Sequence, residues 1–192
     1  VTAARTTPWA SSNTSVATVS STGLVTGVSA GTTTITYTNS NGCQTTATIT
    51  VNALPTITGT LNVCIGSTRQ LTGSATAATT SPWTSSVPGV ATVSSTGLVT
   101  GVSEGTTTIT YTNSNGCQTT ATITVNALPT ITGNLIICAQ STTQLTGSAT
   151  AATTSPWTSS NTSVATVDDT GLVTGVSAGT TTITYTNSNG CQ

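Results

Sequence analysis

The chain has 192 residues, a formal net charge of -1 and only 3% charged side chains, with no histidine, methionine or phenylalanine. An ordinary soluble domain carries about 25% charge; here threonine alone exceeds a quarter of the residues, so hydroxyls stand where charges would meet solvent. Such a surface offers no electrostatic footprint for nucleic acid or anionic lipid, and its many Ser and Thr hydroxyls have no histidine to activate them, so no enzyme is expected.

The elements recur. "YTNSNGCQ" stands at 37–44, 111–118 and 185–192, and Trp9, Trp83 and Trp157 keep the same spacing of 74 residues. Residues 1–44 and 75–118 differ at eight positions, so the chain is a tandem array of near duplicates. The expected division is a partial repeat at 1–52 lacking its first strands, a complete repeat at 55–126 and a partial repeat at 129–192 lacking its last strand. The 192 residues therefore read as a window on a longer array.

Along the complete repeat, "TITGTLNVC" (56–64) predicts a first strand, and "IGS" turns it into "TRQLTGSA" (68–75), with Leu71 facing inward. "SPWTSS" (81–86) carries the tryptophan, and "VATV" (90–93) and "LVTGV" (98–102) flank an "SSTG" turn. "TTTITYT" (106–112) and "QTTATITV" (118–125) alternate apolar and threonine positions, one face packing and the other showing hydroxyls. Seven short strands with period-two patterning and regular turns predict an all-β fold, a tandem array of immunoglobulin-like seven-stranded sandwiches. Trp9, Trp83 and Trp157, one per repeat inside an apolar strand, are assigned to the core rather than to sugar stacking. "VNALPT" at 51–56 and 125–130 marks the joins, which Pro55 and Pro129 stiffen. No run approaches the ~20 apolar residues of a membrane span, so no membrane insertion is expected in this region.

Five cysteines at fixed places, without histidine or a CxxC pair, point to disulfides and an extracellular or cell-surface location. Seven crossings bring the chain in at one pole of a sandwich and out at the other, which puts Cys64 at the exit and Cys117 at the opposite pole. A strand of about eight residues spans ~26 Å, whereas bonded cysteines have Cα atoms ~5.5 Å apart. That geometry favours Cys64–Cys191 across the junction of two repeats. An internal pairing, Cys64–Cys117 and Cys138–Cys191, stays open if the first strand is broken or offset. The partner of Cys43 is expected outside the window. No metal or other cofactor is expected: the adjacent Asp168 and Asp169 replace Ser94 and Ser95 in a turn, and calcium needs a larger carboxylate set.

"PWASSNTSVATVSSTGLVTGVSAGTTTITYT" (8–38) and its copies at 82–112 and 156–186 resemble the bacterial immunoglobulin-like group 2 domain. The flanking "VCIGST" (63–68) and "NGCQTTATITVNALPTITG" (41–59) are similar to repeats of giant secreted surface adhesins of Bacteroidota. The resemblance implies a filament, stalk or adhesin at the cell surface, with neighbouring repeats and other copies in a fibre as partners and a surface or glycan ligand at large. A glycan-binding or spacer module of a secreted enzyme is the alternative.

Overall fold

The computed structural model describes residues 7–192, and the described residues are all β, with no helix among them. Arg5 and the rest of 1–6 lie outside them. The first repeat supplies β1 (Trp9–Ser11), β2 (Ala17–Val19), β3 (Val25–Gly27), β4 (Gly31–Thr38) and β5 (Gln44–Val51). The middle repeat supplies β6 (Ile57–Thr58), β7 (Asn62–Cys64), β8 (Thr68–Gln70), β9 (Thr72–Gly73), β10 (Trp83–Ser85), β11 (Ala91–Val93), β12 (Leu98–Gly101), β13 (Gly105–Thr112) and β14 (Gln118–Asn126). The third supplies β15 (Ile131–Thr132), β16 (Thr142–Gln144), β17 (Thr146–Gly147), β18 (Trp157–Ser159), β19 (Ala165–Val167), β20 (Leu172–Gly175) and β21 (Ile183–Tyr185). By packing, the described residues form two compact units: 7–56, 73–82 and 111–119 make one, and 57–72, 83–110 and 120–192 the other.

In the first unit β4 forms the centre of the sheet β1-β4-β5. Its ladder with β5 runs unbroken from Gly31↔Val51 to Thr38↔Gln44, and Thr32, Thr34 and Thr36 stand opposite Thr50, Thr48 and Thr46. β-branched side chains suit the pleat, and facing threonines support each other across strands. Ile35, on the alternate face, is buried. Trp9 packs on Tyr37 with ring centroids 4.7 Å apart and is half-buried.

In the second unit the long sheet has the order β10-β13-β14-β7, and β11-β12-β8 forms a second sheet. The single first strand expected for 56–64 is broken. Gly59 adopts φ +128°, and a Cβ there would lie 2.7 Å from the Gln70 carbonyl oxygen, so only glycine permits the bend. The break lets β7 run parallel to the far end of β14, with Val125 beside Val63 and Asn126 beside Cys64. Val63, Leu71, Val99, Ile109, Ile123 and Val125 are fully buried, as period-two patterning dictates for inward faces, and Trp83 is buried with them. The third repeat gathers Leu145, Trp157, Val173 and Tyr185 into its own cluster, against which Ile131, Ile137 and Ile183 are only partly buried.

Among the threonines of the alternating strands, Thr107 and its first-repeat counterpart Thr33 face inward and are buried. Thr107 is buried, and its hydroxyl meets Ser85 Oγ at 3.0 Å, Ser86 Oγ at 3.2 Å and the Val87 amide at 3.0 Å. A buried polar group is tolerated only when partnered, and removing it orphans its partners. Thr107→Val, nearly isosteric, is therefore expected to cost about 1–3 kcal/mol in chemical denaturation, while Thr108→Val, one residue on and half-exposed, changes stability little. Equal effects at both positions would remove the network from the account.

Candidate functional site: the cysteine junction

The turn before each third-position cysteine is built by one asparagine side chain. In the third repeat Asn187, 3% exposed, accepts hydrogen bonds at Oδ1 from the amides of Asn189 and Cys191, both at 3.0 Å. Its own amide donates to the Cys191 carbonyl at 3.0 Å, and Gly190, at φ +76°, takes the left-handed position of the turn. Asn113 and Asn39 organise the other two copies in the same way. Asparagine is suited to this because its carbonyl mimics the backbone across two residues. The consequence is a cysteine amide pinned on both sides, which orients the sulfur.

Cys64 sits at the other half of the junction, at the end of β7. The Ser67 amide donates to the Cys64 carbonyl at 3.0 Å, and the next amide, Ile65, donates to the Asn126 carbonyl at 3.1 Å. Gly101 packs so closely that a Cβ on it would lie 2.6 Å from the Cys64 carbonyl oxygen. Cys64 and Cys191 are joined by a disulfide with Cα atoms 5.6 Å apart, across 127 residues of sequence. Both ends are buried, Cys191 at 1% exposure and Cys64 at 6%.

Cys117 and Cys138 are thiols, as is the exposed Cys43. The pairing Cys64–Cys117 with Cys138–Cys191 is thus not formed. The strand break that this pairing required is present, but the register of β7 on β14 sets Cys64 beside Asn126, at the end of β14 away from Cys117. Nine residues of strand separate the two, about 30 Å at the usual rise.

Asp168 shows what the acidic turn does. Its Oδ1 accepts hydrogen bonds from Thr170 Oγ1 at 2.7 Å and from the amides of Thr170 and Leu172 at 2.9 and 3.0 Å. Ser94 Oγ serves the equivalent turn of the middle repeat with the same three partners. The Thr170 hydroxyl, then the Leu172 amide, hold the Asp168 carboxyl below its ordinary value of 3.8 despite slight desolvation. A depressed folded-state value contributes stability above the unfolded value, and this is lost as pH falls through the folded one. With no histidine and three carboxylates, the unfolding midpoint is expected to stay flat from about pH 5 to pH 8 and to fall in acid. Asp168→Ser should shrink the acid fall, and thermal scans across pH would refute this by showing a midpoint that slopes near neutrality. No group of three or more potential metal ligands occurs among the described residues.

The buried asparagines were not singled out in the sequence, although "NSNGC" contains the signal: asparagine two and four residues ahead of the amides it accepts.

A family model described as bacterial Ig-like domain (group 2) matches residues 1–51, 54–125 and 129–192. A search of curated proteins found no match. Among solved structures, a C-terminal 282-residue fragment of intimin, in complex with the translocated intimin receptor's intimin-binding domain, is 23% identical, with a TM-score of 0.40 over 57% of this chain and 45% of that one. The S-layer protein rSbsC is 19% identical, with a TM-score of 0.29 over 96% of this chain and 29% of that one. Domains 4 and 5 of the S-layer protein SbsC are 26% identical, with a TM-score of 0.25 over 66% and 72%. The chain spans less than half the length of the first two.

Proposed function

The chain belongs to the bacterial Ig-like (group 2) domain family, and on that premise we propose that it is a structural and adhesive repeat region of an extracellular bacterial surface filament or stalk. The observation that carries the reading is the disulfide between one repeat and the next: Cys64 lies in the 54–125 match and Cys191 in the 129–192 match. A bond placed there does nothing for the identity of either core, but it limits the freedom of consecutive repeats and stiffens an array. Near-identical units suit length and multivalent weak contact. A neutral, hydroxyl-covered surface suits exposure to an outside medium, and the disulfide suits an oxidising one. Neighbouring repeats and other copies in a fibre are the partners of this reading. The repeats resemble those of giant secreted surface adhesins of Bacteroidota.

The test is antibody labelling of intact, unpermeabilised cells, together with electron micrographs of the intact protein. Surface label and beaded rods that slacken on reduction are expected. Label found only after permeabilisation, or compact globules, would overturn the reading.

A further inference from the structure

The loops β1–β2, β10–β11 and β18–β19 are equivalent, yet they differ in sequence. Residues 13–15 and 161–163 read Asn-Thr-Ser, whereas 87–89 read Val-Pro-Gly. All three keep one backbone course. The amide at the first position donates to a threonine hydroxyl, Asn13 to Thr33, Val87 to Thr107 and Asn161 to Thr181, each at 3.0 Å. The carbonyl there accepts from the amide three residues on, that of Val16, Val90 or Val164, at 3.2, 2.9 and 3.1 Å. The carbonyl at the third position accepts from a serine hydroxyl: Ser15 from Ser29, Gly89 from Ser103 and Ser163 from Ser177. Valine, proline and glycine support this course as well, so the fold does not call for Asn-Thr-Ser. Asn39, Asn113 and Asn187 of the cysteine turns are the contrast, since they stand in every repeat and build their turn.

What the triplet adds is a side-chain amide held in one orientation. Oδ1 of Asn13 accepts from the Ser15 amide at 3.1 Å and from Ser15 Oγ at 2.6 Å, and Oδ1 of Asn161 accepts from Ser163 in the same way at the same distances. Both asparagines are exposed, and among the described residues Nδ2 of neither donates to a partner. The exposure belongs to the loop itself, because Ser86, Val87, Pro88 and Gly89 of the middle repeat are exposed as well. Two donors on Oδ1 have a chemical consequence. A carboxamide nitrogen is a poor nucleophile while its lone pair is shared with the carbonyl. It becomes one as a proton leaves Nδ2 and charge collects on the oxygen, where fixed donors stabilise it.

We propose that Asn13 and Asn161 are acceptors of an N-linked sugar, placed there by a glycosyltransferase from a glycosyl diphosphate donor, and that the middle repeat stays bare. Nδ2 attacks the anomeric carbon of the donor. The carbon–nitrogen bond forms as the bond from that carbon to the phosphate oxygen breaks, the diphosphate leaves with the electron pair, and the Nδ2 proton passes to a base of the transferase. Nothing is oxidised or reduced. The sugars put bulky, hydrated groups on a surface with only 3% charged side chains, where few charges keep copies apart. The donor is either a nucleotide sugar, used inside the cell, or a lipid-linked sugar, used after export. The proposal does not rest on the filament reading, since a glycan on either asparagine is detected whatever shape the array takes.

The experiment is peptide mapping by mass spectrometry of the chain made by its own cells, taken separately from the cytoplasm and from the exported fraction, with fragmentation that leaves a sugar on its residue. A sugar mass on Asn13 and on Asn161 is expected, and none on 86–89. Ser15→Ala and Ser163→Ala should each abolish the sugar of their own repeat, while Ser15→Thr and Ser163→Thr keep it. Val87→Asn with Pro88→Thr and Gly89→Ser should give the middle repeat a sugar of its own. Every variant should retain the Cys64–Cys191 bond, which reports that the chain has folded. Sugar already present in the cytoplasm identifies the nucleotide donor, and sugar confined to the exported chain identifies the lipid-linked one. Bare asparagines in both fractions, a sugar on Thr14 or Thr162 instead, or occupancy indifferent to the serine substitutions would overturn the proposal.

Discussion

Cys64→Ala is expected to lower the stability of the third repeat by about 3–5 kcal/mol. The disulfide closes a loop of 127 residues that contains the rest of the middle repeat and nearly all of the third. Long loops lose most entropy in the unfolded chain when closed, so a cross-link of this reach ranks high among disulfides. It also couples two repeats that would otherwise unfold with only nearest-neighbour cooperation. The oxidised chain should therefore melt in fewer and steeper transitions than the reduced one. Cys191→Ala, the double variant and wild type under reductant should all resemble Cys64→Ala, because each removes the same bond once. Calorimetry with and without reductant decides it: a wild-type trace indifferent to reduction would mean that the junction holds without its covalent link.

The sequence was most readable where chemistry and geometry share a period. Ile109, Tyr111, Ile123 and Val125 alternate with threonine, and alternation of two residues can only put them on one face of a strand. Leu71, buried with them, was placed by the same logic. Two things in the fold were not readable, for different reasons. The bend at Gly59 depends on the Gln70 carbonyl lying where a Cβ would go, which is a contact between two strands and not a local preference. Thr107 shares the inward phase of Ile109 and Tyr111, but the partners that make its burial tolerable, Ser85, Ser86 and Val87, come from a distant stretch that alternation does not reveal. At the junction, the poles of a sandwich follow from counting strands, while the exact approach of Cys64 to the next repeat depends on the parallel register of β7 on β14. Register of that kind is set by packing on both faces and leaves no mark in a strand of three residues.

Gly147→Ala is expected to cost about 2–4 kcal/mol, although its backbone is one that alanine adopts freely. A Cβ at Gly147 would run into the ring of Tyr185, which packs over that position. Tyr185 is 4% exposed, its ring centroid lies 4.6 Å from that of Trp157, and its hydroxyl donates to the Ala149 carbonyl at 2.9 Å. Ala149 is held at φ +66°, a left-handed conformation that costs an alanine free energy and is kept by what surrounds it. The added methyl must push the ring away, which strains the packing on Trp157 and withdraws the hydrogen bond from the left-handed turn at once. Tyr185→Phe removes only the hydrogen bond, so its cost should be about 1 kcal/mol. The two effects are separable in a double variant: in a Tyr185→Leu background the ring is gone, and Gly147→Ala should become nearly neutral. The first unit repeats the arrangement with Gly73 against Tyr111, whose hydroxyl donates to the Ala75 carbonyl at 3.0 Å, so Gly73→Ala serves as an independent copy of the test. Additive costs for Gly147→Ala and Tyr185→Leu would mean that the glycine is there for some reason other than the ring.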